Sequence, residues 1–257
     1  MKEKGRILIV DDDKRMAKTL MDILKVKGYE AEAVYSATAA VEKVKKSSFD
    51  CVLTDIKMPE MNGIELNNAI KDMNPDLPVV LMTAYSNDKL VKEGLEQGAI
   101  ASLIKPLDIN LLLSFFSSLR KEIPIVIVDD DPQFCKTLGD ILQERSFAVI
   151  WLTNPADLGD ILECDAQVVL LDMKLNGTSG LEVLNGIRAQ YPHLPVILVT
   201  GYREEMAQAI DSALKSGAYT CLYKPFEIEE LLKVLSEIHH QQLGRILGRP
   251  VRKKMIR

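Results

Sequence analysis

The sequence predicts an α/β protein built from two doubly wound parallel sheets in tandem, and three observations carry that reading. Short apolar runs alternate with segments of helical period along the chain. The strand candidates are apolar on both faces, as strands sandwiched between two layers of helices must be. The whole pattern then occurs a second time at an offset of 117–118 residues, about one domain length and far longer than a solenoid repeat. Five strands per unit suggest the order 2-1-3-4-5.

In the first unit the run ILIV at 7–10 makes the first strand, and the helical period of 14–27 follows, stopped by Gly28. Strands are then expected at 30–34, 51–54, 78–82 and 101–104, with helices at 37–46, 63–73, 87–97 and 108–121. Gly98 stops the fourth helix as Gly28 stops the first. The second unit repeats the plan with strands at 124–128, 147–151, 167–171, 195–199 and 220–223. The expected domains are therefore 1–121 and 122–240, followed by a basic tail at 241–257. Pro124 opens a strand almost as soon as the helix 108–121 ends, and no Gly/Ser-rich spacer intervenes, so the domains are expected to be close neighbours. On that helix Ile109, Leu112, Leu113, Phe116 and Leu119 make one apolar stripe, with Leu111 and Phe115 read as lying roughly opposite. Those two are either scattered surface hydrophobes or an interface for interdomain packing or a homodimer.

Bulk properties exclude several classes. The 257 residues fit two domains of ordinary size, and 47% hydrophobic with 27% charged residues is globular composition. A net charge of −5 gives no reason to expect nucleic acid as a partner. No apolar run approaches the roughly 20 residues of a membrane span. The opening MKEKGRILIVDDD has only Ile7–Val10 before its acids, too short for a signal-peptide core. Cys51, Cys135, Cys164 and Cys221 show no CxxC spacing, which favours reduced thiols and a cytoplasmic location.

The chemistry sits at the strand ends. In an open parallel sheet the carboxyl ends of the strands make the binding crevice. There the first unit places Asp11–Asp12, Asp55, Thr83 and Lys105, and the second places Asp129–Asp130, Asp172, Thr200 and Lys224. From the second acid of the pair to the lone Asp is 43 residues in one unit and 42 in the other, and from Asp to Thr is 28 in both. Asp13 and Asp131 read as helix caps, with Pro132 at the first helical position. A cap needs one Asp, so the remaining carboxylates need another explanation. Acids converging on one point repel unless a cation intervenes, and Mg²⁺ suits such a site because it takes one or two carboxylates, keeps waters and adds phosphate oxygens. The Lys then acts as a point charge on the same phosphate. An Asp so placed can attack phosphorus and form an aspartyl phosphate.

These motifs (ILIVDDD, VLTDIKMP, VVLMTAY and LIKP, then IVIVDDD, VLLDMKLN, VILVTGY and LYKP) resemble the receiver domains of bacterial two-component response regulators over about residues 5–121 and 123–240. The resemblance implies a flavodoxin-like fold in each unit and phosphoacceptor roles for Asp55 and Asp172. It implies direct Mg²⁺ binding by Asp12 and Asp130, with Asp11 and Asp129 assisting partly through water. The backbone carbonyls of Lys57 and Lys174 complete the implied protein ligands. Thr83 and Thr200 would bond the phosphoryl group and couple it to loop movement, while Lys105 and Lys224 would pair with it. The implied partners are a histidine kinase or a histidine phosphotransfer protein, in a phosphorelay. The first unit keeps the family's Met58-Pro59 turn and Gly63, whereas the second has Leu175, Asn176 and Gly180. The second loop is therefore expected to be looser and Asp55 to accept phosphate more readily. The aromatic switch of the family is replaced by Ser102 and Cys221, so the Thr and the loop backbone are expected to carry more of the response.

After the last helix comes QQLGRILGRPVRKKMIR, with six basic residues and no acid. It is too short for a winged-helix or helix-turn-helix module, and reads as a solvated tail or a contact for phosphate or an acidic partner. The expected function is a phosphoacceptor signalling protein rather than an enzyme acting on other substrates. The alternatives are a DNA-binding regulator lacking its output domain and an Asp-nucleophile phosphatase. Such phosphatases usually carry a second Asp two residues after the nucleophile, where this chain has Lys57 and Lys174.

Overall fold

A computed structural model describes residues 4–84, 89–119, 123–163, 166–202 and 204–248. The chain divides into two compact units, one of Met1–Arg120 with the chain from His239 onward, the other Lys121–Ile238.

In the first unit β1 (Lys4–Val10), α1 (Lys14–Val26), β2 (Tyr29–Val34), α2 (Ala37–Lys46), β3 (Cys51–Asp55), α3 (Gly63–Met73), β4 (Val79–Thr83), α4 (Lys89–Glu96), β5 (Ala101–Ile104) and α5 (Ile109–Ser117) alternate as expected. The sheet order is β2-β1-β3-β4-β5, all parallel. Every residue of β3 and β4 is buried, which explains why these central strands read as unbroken apolar runs.

The second unit runs β6 (Ile125–Val128), α6 (Pro132–Glu144), β7 (Val149–Leu152), a 3₁₀ turn at Pro155–Asp157, α7 (Leu158–Leu162), β8 (Val168–Asp172), β9 (Lys174–Leu175), β10 (Thr178–Ser179), α8 (Gly180–Gln190), β11 (Val196–Thr200), α9 (Ala207–Lys215), β12 (Thr220–Tyr223) and α10 (Ile228–Ile246). Its sheet order β12-β11-β8-β6-β7 is the same topology, so both doubly wound parallel sheets form as expected.

Two readings are corrected. The loop after Asp172 is not loose: β9 and β10 pair antiparallel around Asn176 and Gly177, and Gly177 takes φ +85°. Asn-Gly turns suit such short hairpins because both residues tolerate positive φ. Phe115 does not face away from its sheet. It is 0% exposed, in one cluster with Ile7, Ile9, Leu112 and Phe116. A helix advances 100° per residue, so Phe115 lies only about 60° from Leu112 and widens the buried stripe. In the same unit Leu243 and Leu247 are also buried in that cluster, and residues 241–246 are the last part of α10. Residues 249–257 of the basic segment lie outside the described residues.

Candidate functional site

Each site begins where a strand ends. β1 delivers Asp11, 1% exposed, and leaves Asp12 exposed beside it. Asp13 then caps α1, its carboxylate accepting the amide N–H groups of Arg15 at 2.9 Å and Met16 at 3.2 Å. The Asp13 amide in turn donates to Asp11 Oδ1 at 2.9 Å, fixing that carboxylate in the turn. The second unit repeats the arrangement with Asp129, also 1% exposed, accepting from the Asp131 amide at 3.0 Å while Asp131 caps α6.

The lone Asp of each unit ends its central strand at 8% exposure. The Lys57 amide donates to Asp55 Oδ2 at 2.7 Å, and the Lys174 amide to Asp172 Oδ1 at 3.1 Å. A glycine makes this tether fit. A Cβ on Gly63 would clash with the Asp55 carbonyl oxygen well inside van der Waals contact, and one on Gly180 would clash with the Asp172 carbonyl oxygen and come 2.7 Å from Met173 Cα. Both glycines open helices by capping boxes, Asn62 with Glu65 and Ser179 with Glu182.

From the far side of each sheet a lysine closes the cluster. Lys105 Nζ lies 2.7 Å from Asp11 Oδ2 and is ion-paired with Asp55 as well. Lys224 Nζ lies 2.5 Å from Asp129 Oδ2 and 3.1 Å from Asp172 Oδ2. Both lysines precede cis prolines, Pro106 and Pro225. Thr83 and Thr200 end β4 and β11 at 3% and 0% exposure, beside the strands that carry the acceptors. The Thr200 Oγ1 accepts the Tyr202 amide N–H at 3.1 Å. The lysine thus joins Asp11 to Asp55 in the first unit and Asp129 to Asp172 in the second.

The charge balance is unequal, with one lysine for three carboxylates. Burial raises the pKa of Asp11 and Asp129 above the usual carboxylate range, only partly offset by the hydrogen bonds from the lysines. Burial also works against the charge of Lys105 and Lys224, but their hydrogen bonds to the acids outweigh it, and their pKa values rise. Burial thus drives the acids upward and the acids drive the lysines upward, while each site keeps a deficit of positive charge.

That deficit is what a divalent cation would supply. The carboxylates of Asp129, Asp130 and Asp172 offer ligand atoms within 4.8 Å of one another. Oxygens bound to one Mg²⁺ at about 2.1 Å sit roughly 3–4 Å apart, so only a small closure is required. Among the described residues this is the acid group drawn together so closely; Asp11, Asp12 and Asp55 are more spread. The acids of the second site are the better gathered of the two sets.

The response regulator receiver domain family matches the chain at residues 7–116 and again at 125–236. The chain belongs to that family. A response regulator receiver protein of Anaeromyxobacter sp. (strain Fw109-5) is 28% identical over 237 residues, covering 92% of this chain and 96% of that protein. Transcriptional regulatory protein ZraR of Klebsiella oxytoca is 44% identical over 110 residues, which are 43% of this chain but only 25% of ZraR. Among solved structures, the Vibrio cholerae chemotaxis protein CheY4 is 27% identical and covers 45% of this chain and 98% of its own, with a TM-score of 0.43. Two receivers in one chain account for the duplicated acid, Thr and Lys set.

Two of three aromatic residues at the second receiver's site, Phe134 and Phe226, lie outside the motif pattern, and the third, Tyr202, ends the motif VILVTGY. The Lys174 ammonium stands 4.0 Å from the Tyr202 ring centroid, and the Lys224 ammonium 4.0 Å from that of Phe134. Phe226 meets Phe134 edge to face, centroids 6.3 Å apart. The only sequence hint is the position of Phe134, one turn into the helix that the acids cap.

Proposed function

We propose that the protein is a phosphoacceptor of two-component signalling that takes phosphoryl groups on Asp55 and Asp172 from a histidine kinase or histidine phosphotransfer protein. The observation that carries this reading is the lysine bridge, repeated in both receivers, between the strand-end acid and the lone acid. It holds a cation next to a nucleophilic carboxylate, where negative charge accumulates as a phosphoryl group arrives.

In the reaction so proposed, a carboxylate oxygen of Asp55 or Asp172 forms a bond to phosphorus as the P–N bond to a phosphohistidine breaks. The imidazole, protonated beforehand on its other ring nitrogen, leaves with the electron pair as a neutral ring. The amides of Lys57 and Lys174 hold the acceptor carboxylates in place. Lys105 and Lys224, beside the acceptors, are placed to pair with an incoming phosphoryl oxygen, and the buried hydroxyls of Thr83 and Thr200 lie at the neighbouring strand ends to bond another. Mg²⁺, when bound by Asp12 and Asp55 or by Asp130 and Asp172, with Asp11 and Asp129 behind them and the carbonyls of Lys57 and Lys174 completing the set, would neutralise charge on the phosphoryl oxygens.

The products are modified forms of the protein itself, so we read it as a signalling protein and not an enzyme turning over other substrates. Lys57 and Lys174 stand where Asp-nucleophile phosphatases carry a second acid. A cytoplasmic place suits the free thiols of Cys51, Cys135 and Cys221, and no described helix is long and apolar enough to cross a membrane.

The test is incubation with a small phosphodonor and Mg²⁺, followed by intact mass and peptide mapping. The wild type is expected to gain up to two phosphoryl groups, Asp55→Asn and Asp172→Asn one each, and the double variant none. Undiminished labelling of the double variant would remove both acceptor assignments.

A further inference from the structure

The second receiver holds its lysine differently from the first. Lys224 is clasped by Asp129 Oδ2 at 2.5 Å, Asp172 Oδ2 at 3.1 Å and the face of Phe134, 4.0 Å from ammonium to ring centroid. Phe134 is fixed in turn by Phe226, whose ring stands at 82° to it. Counting from Asp11 and Asp129, the first receiver has Met16 where the second has Phe134. Counting from Lys105 and Lys224, it has Leu107 where the second has Phe226. The ring pair is therefore peculiar to one of two otherwise matching sites.

An aromatic face does something a third carboxylate could not. It attracts the charge of an ammonium through its quadrupole without needing a hydrogen-bond donor. A lysine ammonium has three donors, and two already face Asp129 and Asp172. Among the described residues no acceptor meets the third, which leaves it for a phosphoryl oxygen. A lysine side chain otherwise carries about 2 kcal/mol of rotamer entropy, much of it surrendered whenever the ammonium is placed.

We propose that Phe134, steadied by Phe226, is a positioning residue that seats the Lys224 ammonium beside Asp172 and so speeds phosphoryl transfer to the second receiver. This rests on the reading of Asp172 as an acceptor. The competing explanation is packing alone, since both rings also lie against the core cluster of Ile125, Cys135, Leu138 and Leu231. The two explanations part on what replaces the ring. Leucine fills the space but has no face for the cation, whereas tyrosine keeps it.

In the full chain, phosphorylation of Asp172 and Asp55 by acetyl phosphate with Mg²⁺ is followed separately by peptide mass. Phe134→Leu is expected to slow labelling of Asp172 about fivefold, consistent with a cation–π contribution of order 1 kcal/mol, and to leave Asp55 in the same molecules unchanged. Phe134→Tyr is expected to restore the rate. A second readout is the ring-current shift of the Lys224 ε-methylene protons, present in the wild type and Phe134→Tyr and lost in Phe134→Leu. Should Phe134→Leu fail to fold, Phe134→Met, which copies the first receiver, is read by the same criteria. The proposal is overturned if the leucine or methionine variant labels Asp172 at the wild-type rate, or if tyrosine is as slow as leucine. A wild type that labels Asp55 and never Asp172 would instead overturn the acceptor reading at the second site, and the role of Phe134 with it.

Discussion

At the scale of single residues, Asp11 and Asp129 are charges held against burial. Each is 1% exposed, and burial raises its pKa above the ordinary 3.8. A carboxyl with a raised folded value adds stability that is fully present below 3.8 and lost as pH rises through that folded value. At neutral pH without metal, Asp11→Asn is therefore expected to raise stability, since the amide keeps an acceptor for the Asp13 N–H and Lys105 keeps Asp55. Thermal melts should show the gain shrinking as pH falls through the raised folded value, and gone once pH is below 3.8. Added Mg²⁺ should stabilise the wild type more than the variant, because a ligand bound only by the native state raises its stability. The acids, threonines and lysines of both sites were legible in the sequence because polar residues at the ends of apolar runs have no core role to play. Phe134 was not, because an aromatic residue on an amphipathic helix looks the same whether its face meets an ammonium or an aliphatic chain. Phe115 was misjudged for a simpler reason, a stripe drawn too narrow by one helical position.

At the scale of elements, the junctions β3–α3 and β8–α8 are the tightest pieces of construction. Gly63→Ala would drive a Cβ into the Asp55 carbonyl, which is backbone and cannot step aside. A cost of roughly 1–3 kcal/mol is expected in the denaturant midpoint, with slower phosphorylation of Asp55 as the amide tether from Lys57 shifts. The next loop is stapled in each receiver by a cation on the same helix. Lys71 donates to the carbonyls of Pro75 and Leu77 at 2.9 Å each, and Arg188, at the matching position, to those of Leu194 at 2.6 Å and Gly217 at 2.8 Å. Burial lowers the Lys71 pKa to about 8 from 10.5. A lowered folded value means stability that is present above 10.5 and lost as pH falls through about 8. Urea midpoints should thus rise on this account between those limits, and Lys71→Arg, charged throughout, should flatten the rise. Strand and helix positions were readable to within a few residues from periodicity, since alternation of buried strands with amphipathic helices leaves a strong signal. The β9–β10 hairpin was missed although Asn176-Gly177 announces it, because the comparison with Met58-Pro59 drew attention to what the second loop lacked.

At the scale of the whole chain, the duplication made the fold and both sites readable. One acid pair with a distant Asp, Thr and Lys is weak evidence, but a second copy with the same 28-residue Asp-to-Thr interval is not an accident of composition. What could not be read was the difference between the copies, which lies in packing around the lysines and not in the motif itself. Because the second loop is a formed hairpin and its acids are the closer set, the expected preference for Asp55 loses its basis. Comparable labelling of Asp55 and Asp172 is now the expected outcome of a time course resolved by peptide. A clear lag at Asp172 would mean that the Met58-Pro59 turn counts for more than the gathering of the acids. Two acceptors on one chain also change how much a message can say. A lone acceptor is marked or unmarked, whereas this chain would exist as four covalent species, two of which have identical mass and differ only in which half is marked. A partner that reads one half is blind to the other, so address and quantity would be separate words in the same signal.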